Sequence, residues 1–235
     1  MDNPIVSRQE WLKARIKFLE KEKAFTKARD ALTEERRQLP FVKIENEYIF
    51  QSGNGKKSLG DLFGNSTQLV VYHFMYGPDW QEGCVSCSFW ADNFNYIAPH
   101  LEARDTSFVA ISNASMEQID TYRKRLNWSF PWVSSNGTGF NADFGVSSCD
   151  DGQTTEGPGY NYSGKSFQDE MPGISVFIRL EDGTICHSYS TYSRGLDMMN
   201  GAYHFLDLTP LGRNESDLDY SMSWLKRRDS YPSQA

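Results

Sequence analysis

The run QLVVYHFMY, residues 68–76, is followed by a short loop and then by two cysteines, Cys84 and Cys87. Its length and its β-branched Val70 and Val71 predict a buried strand. The loop GPDWQEG leads from it into CVSCSFWADNF, which reads as a helix starting near Cys84 and ending before Pro99. A strand, a tight turn containing Gly83 and a helix that opens on a thiol leave few arrangements for the rest of the chain.

Further along, TSFVAISNA predicts a second strand, and SMEQIDTYRKRLN a helix with Ser115 as N-cap and Ile119, Tyr122 and Leu126 on one face. WVSS, 132–135, is short enough for one more strand inside a long Gly-, Ser- and Asn-rich loop. ISVFIRL and TICHSYS flank Glu181-Asp182-Gly183, a hairpin signal, and a last helix spans roughly Leu196 to Leu206. Alternating strands and helices followed by an antiparallel hairpin predict an α/β fold, with a mixed sheet flanked by helices. The element order is that of a thioredoxin-like domain.

Ahead of it, residues 5–39 lack Gly and Pro and are rich in Lys, Arg, Glu, Ala and Leu. Trp11, Phe18, Phe25 and Leu32 recur every seven residues, with Leu12 and Leu19 beside the first two, so one long amphipathic helix is expected, stopped by Pro40. Its stripe needs a covering surface, either its own domain or a second copy in a homodimer. The division that results is a helix over 1–40, a thioredoxin-like domain over 41–215 and a polar tail over 216–235. Within the domain FVKIENEYIF reads as a first hairpin or edge segment, and QSGNGKKSLGDLFG as a turn-rich connection.

Net charge is -7, unevenly placed: residues 1–40 carry 10 Lys and Arg against 7 Asp and Glu, and the remainder 14 against 24. An acidic body without a basic stripe repels phosphate backbones, so nucleic acid is excluded as a partner. No apolar run approaches the roughly 20 residues of a membrane span, so no membrane association is expected. The first residues, MDNPIVSRQEWLK, do not resemble a secretory leader, which together with only 4 cysteines points to the cytoplasm.

In a reducing compartment a C-x-x-C pair serves redox chemistry or metal binding more often than structure, although two packing cysteines on one helix turn have the same spacing. Read as a redox pair, Cys84 lies at a helix start, where unsatisfied backbone N–H groups favour thiolate. It is then the nucleophile, and Cys87, one turn on, the resolving thiol. Asp79 and Glu82 oppose this by their charge. Pro172, ahead of the strand ISVFI, stands where thioredoxin-like domains carry a cis-proline facing the dithiol, or else is a trans proline that starts an ordinary strand. His73 lies close to where they place the proton acceptor of the resolving thiol, or else is a hydrogen-bonded core residue. Read as a metal site, the pair needs further ligands. His187 is the first candidate, and His73, Cys149 and Cys186 would have to come by folding. Tyr76, Trp80, Trp90, Trp128, Trp132, Tyr160 and Tyr162 either pack the long loop or wall a pocket. On the pocket reading, Trp80 and Tyr76 contact substrate and Arg194 binds an anionic group.

The stretches QLVVYHFMYGPDW, GCVSCSFWADNF, WSFPWVSS, FNADFGV, PGISVFIR, HSYSTYSRGLD and YHFLDLTPLGR resemble the domain-of-unknown-function family 899, a thioredoxin-superfamily family, to about Glu215. The resemblance implies a thioredoxin-like fold with an added N-terminal helix, a cytosolic setting and dithiol–disulfide chemistry. The family pattern places proline where this chain has Val85, between the thiols, a position that tunes reduction potential. With neither a P-loop nor a dinucleotide fingerprint, no cofactor is expected. The expected partners are a thiol or disulfide substrate and an external thiol reductant. The expected activity is thiol–disulfide oxidoreduction, and the alternative is a metal- or small-molecule-binding protein of the same fold without redox turnover.

Overall fold

A computed structural model describes residues 2–148, 159–164 and 169–232 of the chain; Cys149 lies outside them. Two compact units are distinguished, Met1–Pro40 and Phe41–Ala235. The first is helix α1, Arg8–Arg37. Ser7 and Glu10 form a reciprocal capping box at its start, and Arg36 and Arg37 stand in its last turn, where cations complement the carbonyl end. No residue of α1 is buried, and the stripe expected from the sequence is exposed at Trp11, Phe18, Phe25 and Leu32.

The second unit holds an eight-stranded mixed sheet. In chain order its elements are β1 (Val42–Lys43), β2 (Ile49–Ser52), β3 (Gly55–Ser58), β4 (Gln68–His73), α2 (Val85–Ala91), α3 (Ala98–Glu102), β5 (Thr106–Ser112), α4 (Met116–Arg125), β6 (Trp132–Ser134), α5 (Phe140–Asp143), β7 (Gly173–Arg179), β8 (Ile185–Tyr192) and α6 (Gly201–Asp207). The strands lie in the order β1-β8-β7-β4-β5-β6-β2-β3. At the centre β4 and β5 are parallel, while β7 is antiparallel to β4 and β8 to β7. With α2 and α4 as crossovers and α6 after the hairpin, this is a thioredoxin-like α/β fold. Among the described residues no helix is long and apolar enough to cross a membrane.

Strand β4 is buried on both sides, and its alternation separates two cores. Tyr72 and Phe74 pack with Cys87, Trp90, Phe94 and Tyr122 on one face, whereas Leu69 and Val71 pack with Phe140, Phe144 and Phe177 on the other. Helix α4 is capped as its sequence predicts, with the Ser115 hydroxyl accepting from the Gln118 N–H at 3.3 Å and Ile119 and Tyr122 buried. The β7–β8 turn is the expected one: Gly183 has φ +85°, and the Thr184 N–H donates to Asp182 Oδ1 at 2.9 Å.

Of the two readings of FVKIENEYIF the edge segment holds and the hairpin does not: β1 adds to β8 as the edge strand, and β2 pairs with β6 towards the other end of the order. Three segments differ from the sequence expectation, each for a local reason. QSGNGKKS is a hairpin, β2–β3, closed by Gly55 at φ +105° and by the Ser52 hydroxyl on the Gly55 carbonyl. The helix after Cys84 stops at Ala91, because the Asn93 side chain donates to the carbonyls of Phe89 and Trp90. Asn200 starts a new helix, its side chain accepting from the Tyr203 N–H at 3.1 Å, so the last helical stretch divides into a 3-10 run Ser193–Met199 and α6.

Residues 216–232, set apart in the sequence as a polar tail, pack on the domain through a few side chains. Leu225 is buried, Trp224 meets the Phe89 ring edge-on at 5.8 Å, and its indole N–H donates to Glu215 at 2.6 Å.

Candidate functional site

The site is built where β4 ends. Gly83 turns the chain into α2 with no room for a side chain, since a Cβ there would lie 2.7 Å from the Phe74 ring and 2.9 Å from that of Tyr122. The Cys84 N–H donates to the Met75 carbonyl at 3.0 Å, which fixes the first thiol at the helix N-cap. Its Sγ accepts from the Cys87 N–H at 3.5 Å. Both cysteines are free thiols; Cys84 is half-buried and Cys87 buried.

The two sulfurs hold their protons very differently. A hydrogen bond from the Cys87 thiol, joined by the backbone N–H groups of Cys87 and Ser86 and the charge of Arg227, outweighs burial and lowers the Cys84 pKa to about 6. Burial, and the neighbouring Cys84 sulfur, push Cys87 well above an ordinary thiol. Hydrogen bonds from the Met75 backbone and the Tyr72 hydroxyl offset part of that rise. A thiolate at Cys84 beside a protonated Cys87 is the division of labour of an attacking and a resolving thiol.

Arg227 arrives from the C-terminal segment. It donates to the Gly83 carbonyl and the Tyr122 hydroxyl, each at 2.7 Å, and pairs with Glu82 at 2.7 Å. Arg125 also pairs with Glu82. Of the acidic approach expected to disfavour a thiolate, Glu82 is therefore matched by two guanidiniums, and Arg227 acts on Cys84 in the opposite direction.

A cavity of about 270 Å³ opens beside the second thiol. Cys87, Ser86, Tyr72, Met75 and Trp90 line one side, Tyr160, Met171 and Pro172 another, and Arg194, Asp197, Arg213 and Glu215 stand around it. Of the residues expected at the site, Cys87, Pro172, Arg194, Trp90 and Tyr160 line this cavity, and Cys84, which does not, is joined to it through the hydrogen bond its sulfur accepts from the Cys87 N–H.

Pro172 borders the cavity, but its peptide bond is trans, as are all those among the described residues. The chain enters β7 held by other bonds: the Met171 N–H donates to the Val146 carbonyl at 2.7 Å, and the Pro172 carbonyl accepts from the Tyr160 hydroxyl at 2.9 Å. Gly173 follows with no room for a Cβ, which would lie 2.7 Å from the Tyr192 ring.

His73 is not at the dithiol. One residue after Tyr72 on β4, it belongs to the opposite face, stacked on Phe140 and Phe144 with Nε2 2.8 Å from the Ser175 hydroxyl. Burial and the neighbouring His187 lower its pKa to about 3, so it is a neutral core residue. His187 packs against Phe144 and Phe177 on that same face, its Nε2 2.7 Å from the Ser190 hydroxyl, and cannot join Cys84 and Cys87 around a metal ion. Among the described residues no three His, Cys, Asp or Glu side chains converge on a metal position. The buried Cys186 thiol does not line the cavity.

Tyr76 and Trp80 also stand off from the cavity. Tyr76 is buried against Tyr122 and lines a separate, open groove with Glu82 and Arg125, while the Trp80 indole donates to Asp169 at 3.1 Å. The residues that sequence reasoning missed are Tyr72 and Arg227. Strand parity carries a signal for the first, because only one of two neighbours on a strand faces the helix bearing the thiols. For Arg227 no local signal exists.

Several solved peroxiredoxin structures are similar to this chain. Peroxidoxin BcpB from Mycobacterium tuberculosis is 14% identical, with 68% of this chain and 93% of that one covered and a TM-score of 0.47. A PrxQ mutant from Xylella fastidiosa is 13% identical, covering 70% and 95%, with a TM-score of 0.45. Peroxiredoxin Q from Xanthomonas campestris is 15% identical, covering 71% and 96%, with a TM-score of 0.43. Likenesses of this size leave the chemistry to the residues themselves. None of the curated proteins compared matches the chain. The family model described as "Bacterial protein of unknown function (DUF899)" matches residues 1–231, and the chain belongs to that family.

Proposed function

We propose that the protein is a thiol–disulfide oxidoreductase in which Cys84 attacks and Cys87 resolves. The observation that carries this is the opposed proton affinity of two free thiols one helix turn apart, Cys84 lowered to about 6 and Cys87 raised. The Cys84 thiolate attacks a disulfide sulfur, and a mixed disulfide forms as one substrate thiolate leaves. Cys87 then gives up its proton and attacks the Cys84 sulfur, which releases the second substrate thiol and closes a Cys84–Cys87 disulfide. An external thiol reductant restores the dithiol, and a reducing compartment keeps it so.

Two substitutions test the assignment. Cys84→Ser abolishes reduction of a small disulfide, and Cys87→Ser stops at a mixed disulfide on Cys84 that mass spectrometry of the intact protein detects. A native protein whose two thiols never interconvert with a disulfide under any thiol buffer rejects the proposal.

A further inference from the structure

The surroundings of the dithiol bear on which disulfide reaches it. An extended peptide that pairs as an added strand needs free backbone N–H and C=O groups beside the thiols. At the entrance to β7 two of those groups are engaged. The Met171 N–H is held by the Val146 carbonyl, and the Pro172 carbonyl by the Tyr160 hydroxyl, which itself accepts from the Ser193 N–H at 3.0 Å. What remains open is the cavity of about 270 Å³. A dry cavity of about 150 Å³ accepts benzene, so this one accommodates a substituted aromatic ring. Met75, Trp90, Leu196 and Met222 give it apolar walls.

The charged groups around it are unequal. Arg213 is held by Asp197 at 3.0 Å and by both carboxylate oxygens of Asp207 at 2.9 Å. Glu215 accepts from the Tyr203 hydroxyl at 2.8 Å and the Trp224 indole at 2.6 Å. Arg194 engages Asp197 through Nε alone at 2.7 Å, and its side chain is 82% exposed. Its two Nη groups make no hydrogen bond among the described residues and remain a free fork for an anion.

The turn that carries Arg194 is built rather than incidental. Ser193 adopts φ +49°, a left-handed conformation costly for a residue with a Cβ. Gly195 is required behind it, because a Cβ there would fall 2.0 Å from the Thr191 hydroxyl. Strain of this kind gathers where a ligand-facing group must be held.

We propose that the substrate is a small disulfide with an apolar, aromatic-sized body and a carboxylate or similar anionic group, seated in this cavity with Arg194 at the anion. The proposal rests on the dithiol reading above. The chemistry balances without a further reagent: two protein thiols lose two electrons and two protons to form the Cys84–Cys87 disulfide. The substrate disulfide gains them as two thiols.

Two chromogenic disulfides separate the possibilities, the dianionic dithiobis(nitrobenzoate) and the neutral dithiodipyridine. Stopped-flow rates of the reduced full chain with each, divided by those of a free small thiol, give a preference for the anion. The native protein favours the dianion. Arg194→Gln loses about fivefold of that preference through the dianion alone, while Arg194→Lys retains part of it. Arg104→Gln, an exposed arginine that does not line the cavity, leaves it unchanged. No preference in the native protein, or one that Arg194→Gln leaves intact, overturns the proposal while the dithiol reading stands. Failure to react with either disulfide overturns both.

Discussion

The Arg227 guanidinium donates to the Gly83 carbonyl at 2.7 Å, tying the C-terminal segment to the residue before the attacking cysteine. The same side chain holds Glu82 and the Tyr122 hydroxyl, so a cation is fixed at the entrance to α2 and only 18% of its side chain is exposed. A charge held in place beside a sulfur stabilises its thiolate, and little solvent is present to screen it.

Arg227→Met is therefore expected to shift the alkylation profile of Cys84 towards higher pH. In the native protein the iodoacetamide rate is expected to rise through a midpoint near 6, far below that of a free thiol. The variant moves the midpoint up and slows alkylation at pH 6 on the order of threefold. Arg227→Lys keeps the charge and recovers part of the effect. Near-UV circular dichroism checks that the aromatic core is intact, and an unmoved midpoint in a folded Arg227→Met protein refutes the assignment.

The strand, the glycine turn and the thiol-bearing helix are legible in the sequence because each is set by neighbours along the chain. The capping box at Ser115 and the Asp182-Gly183 turn are legible for the same reason. Which side of β4 faces the thiols is not local. Alternation says that Tyr72 and His73 diverge, but only the packing of α2 against Tyr72 decides which of them meets Cys87. Arg227 lies 144 positions from Gly83, and a basic residue in a polar segment gives no sign of its partner. The helix breaks at Asn93 and Asn200 were readable in kind, since Asn competes for backbone groups, yet both positions fit a helical pattern.

Tyr72 occupies the place that sequence reasoning gave to His73. Its hydroxyl hydrogen-bonds Cys87 and favours the charged form of a thiol that burial otherwise keeps protonated. Tyr72→Phe removes that bond and leaves the ring packed on Phe94. Attack by Cys87 on the mixed disulfide then slows, by roughly the worth of one hydrogen bond, because a smaller fraction of the thiol is ionised. Alkylation of Cys84 in the free enzyme changes little by comparison. Acid-quenched mass spectrometry during a single turnover reads the lifetime of the mixed disulfide. An unchanged lifetime removes Tyr72 from the resolving step.

His73 has a different consequence, in stability. Buried on the face away from the thiols and beside His187, it stays neutral in the folded chain down to a pKa of about 3, against 6.5 for the free side chain. The unfolded chain therefore binds a proton below pH 6.5 that the folded chain refuses. Stability is complete above that value and falls as the pH drops towards 3. Between pH 7 and 5, His73 alone contributes a loss of about 2 kcal/mol, in a range where most carboxylates have not begun to titrate. His187, lowered in the same direction by burial, adds to the loss. Urea unfolding of the native protein and of His73→Gln, which does not titrate and carries an amide towards the Ser175 hydroxyl, measures the His73 share. The variant is less stable at pH 7 but loses less between pH 7 and 5. Equal losses in the two proteins would mean that His73 accepts its proton in the folded state, and that its buried, neutral placement among Phe140, Phe144 and Ser175 does not persist in solution.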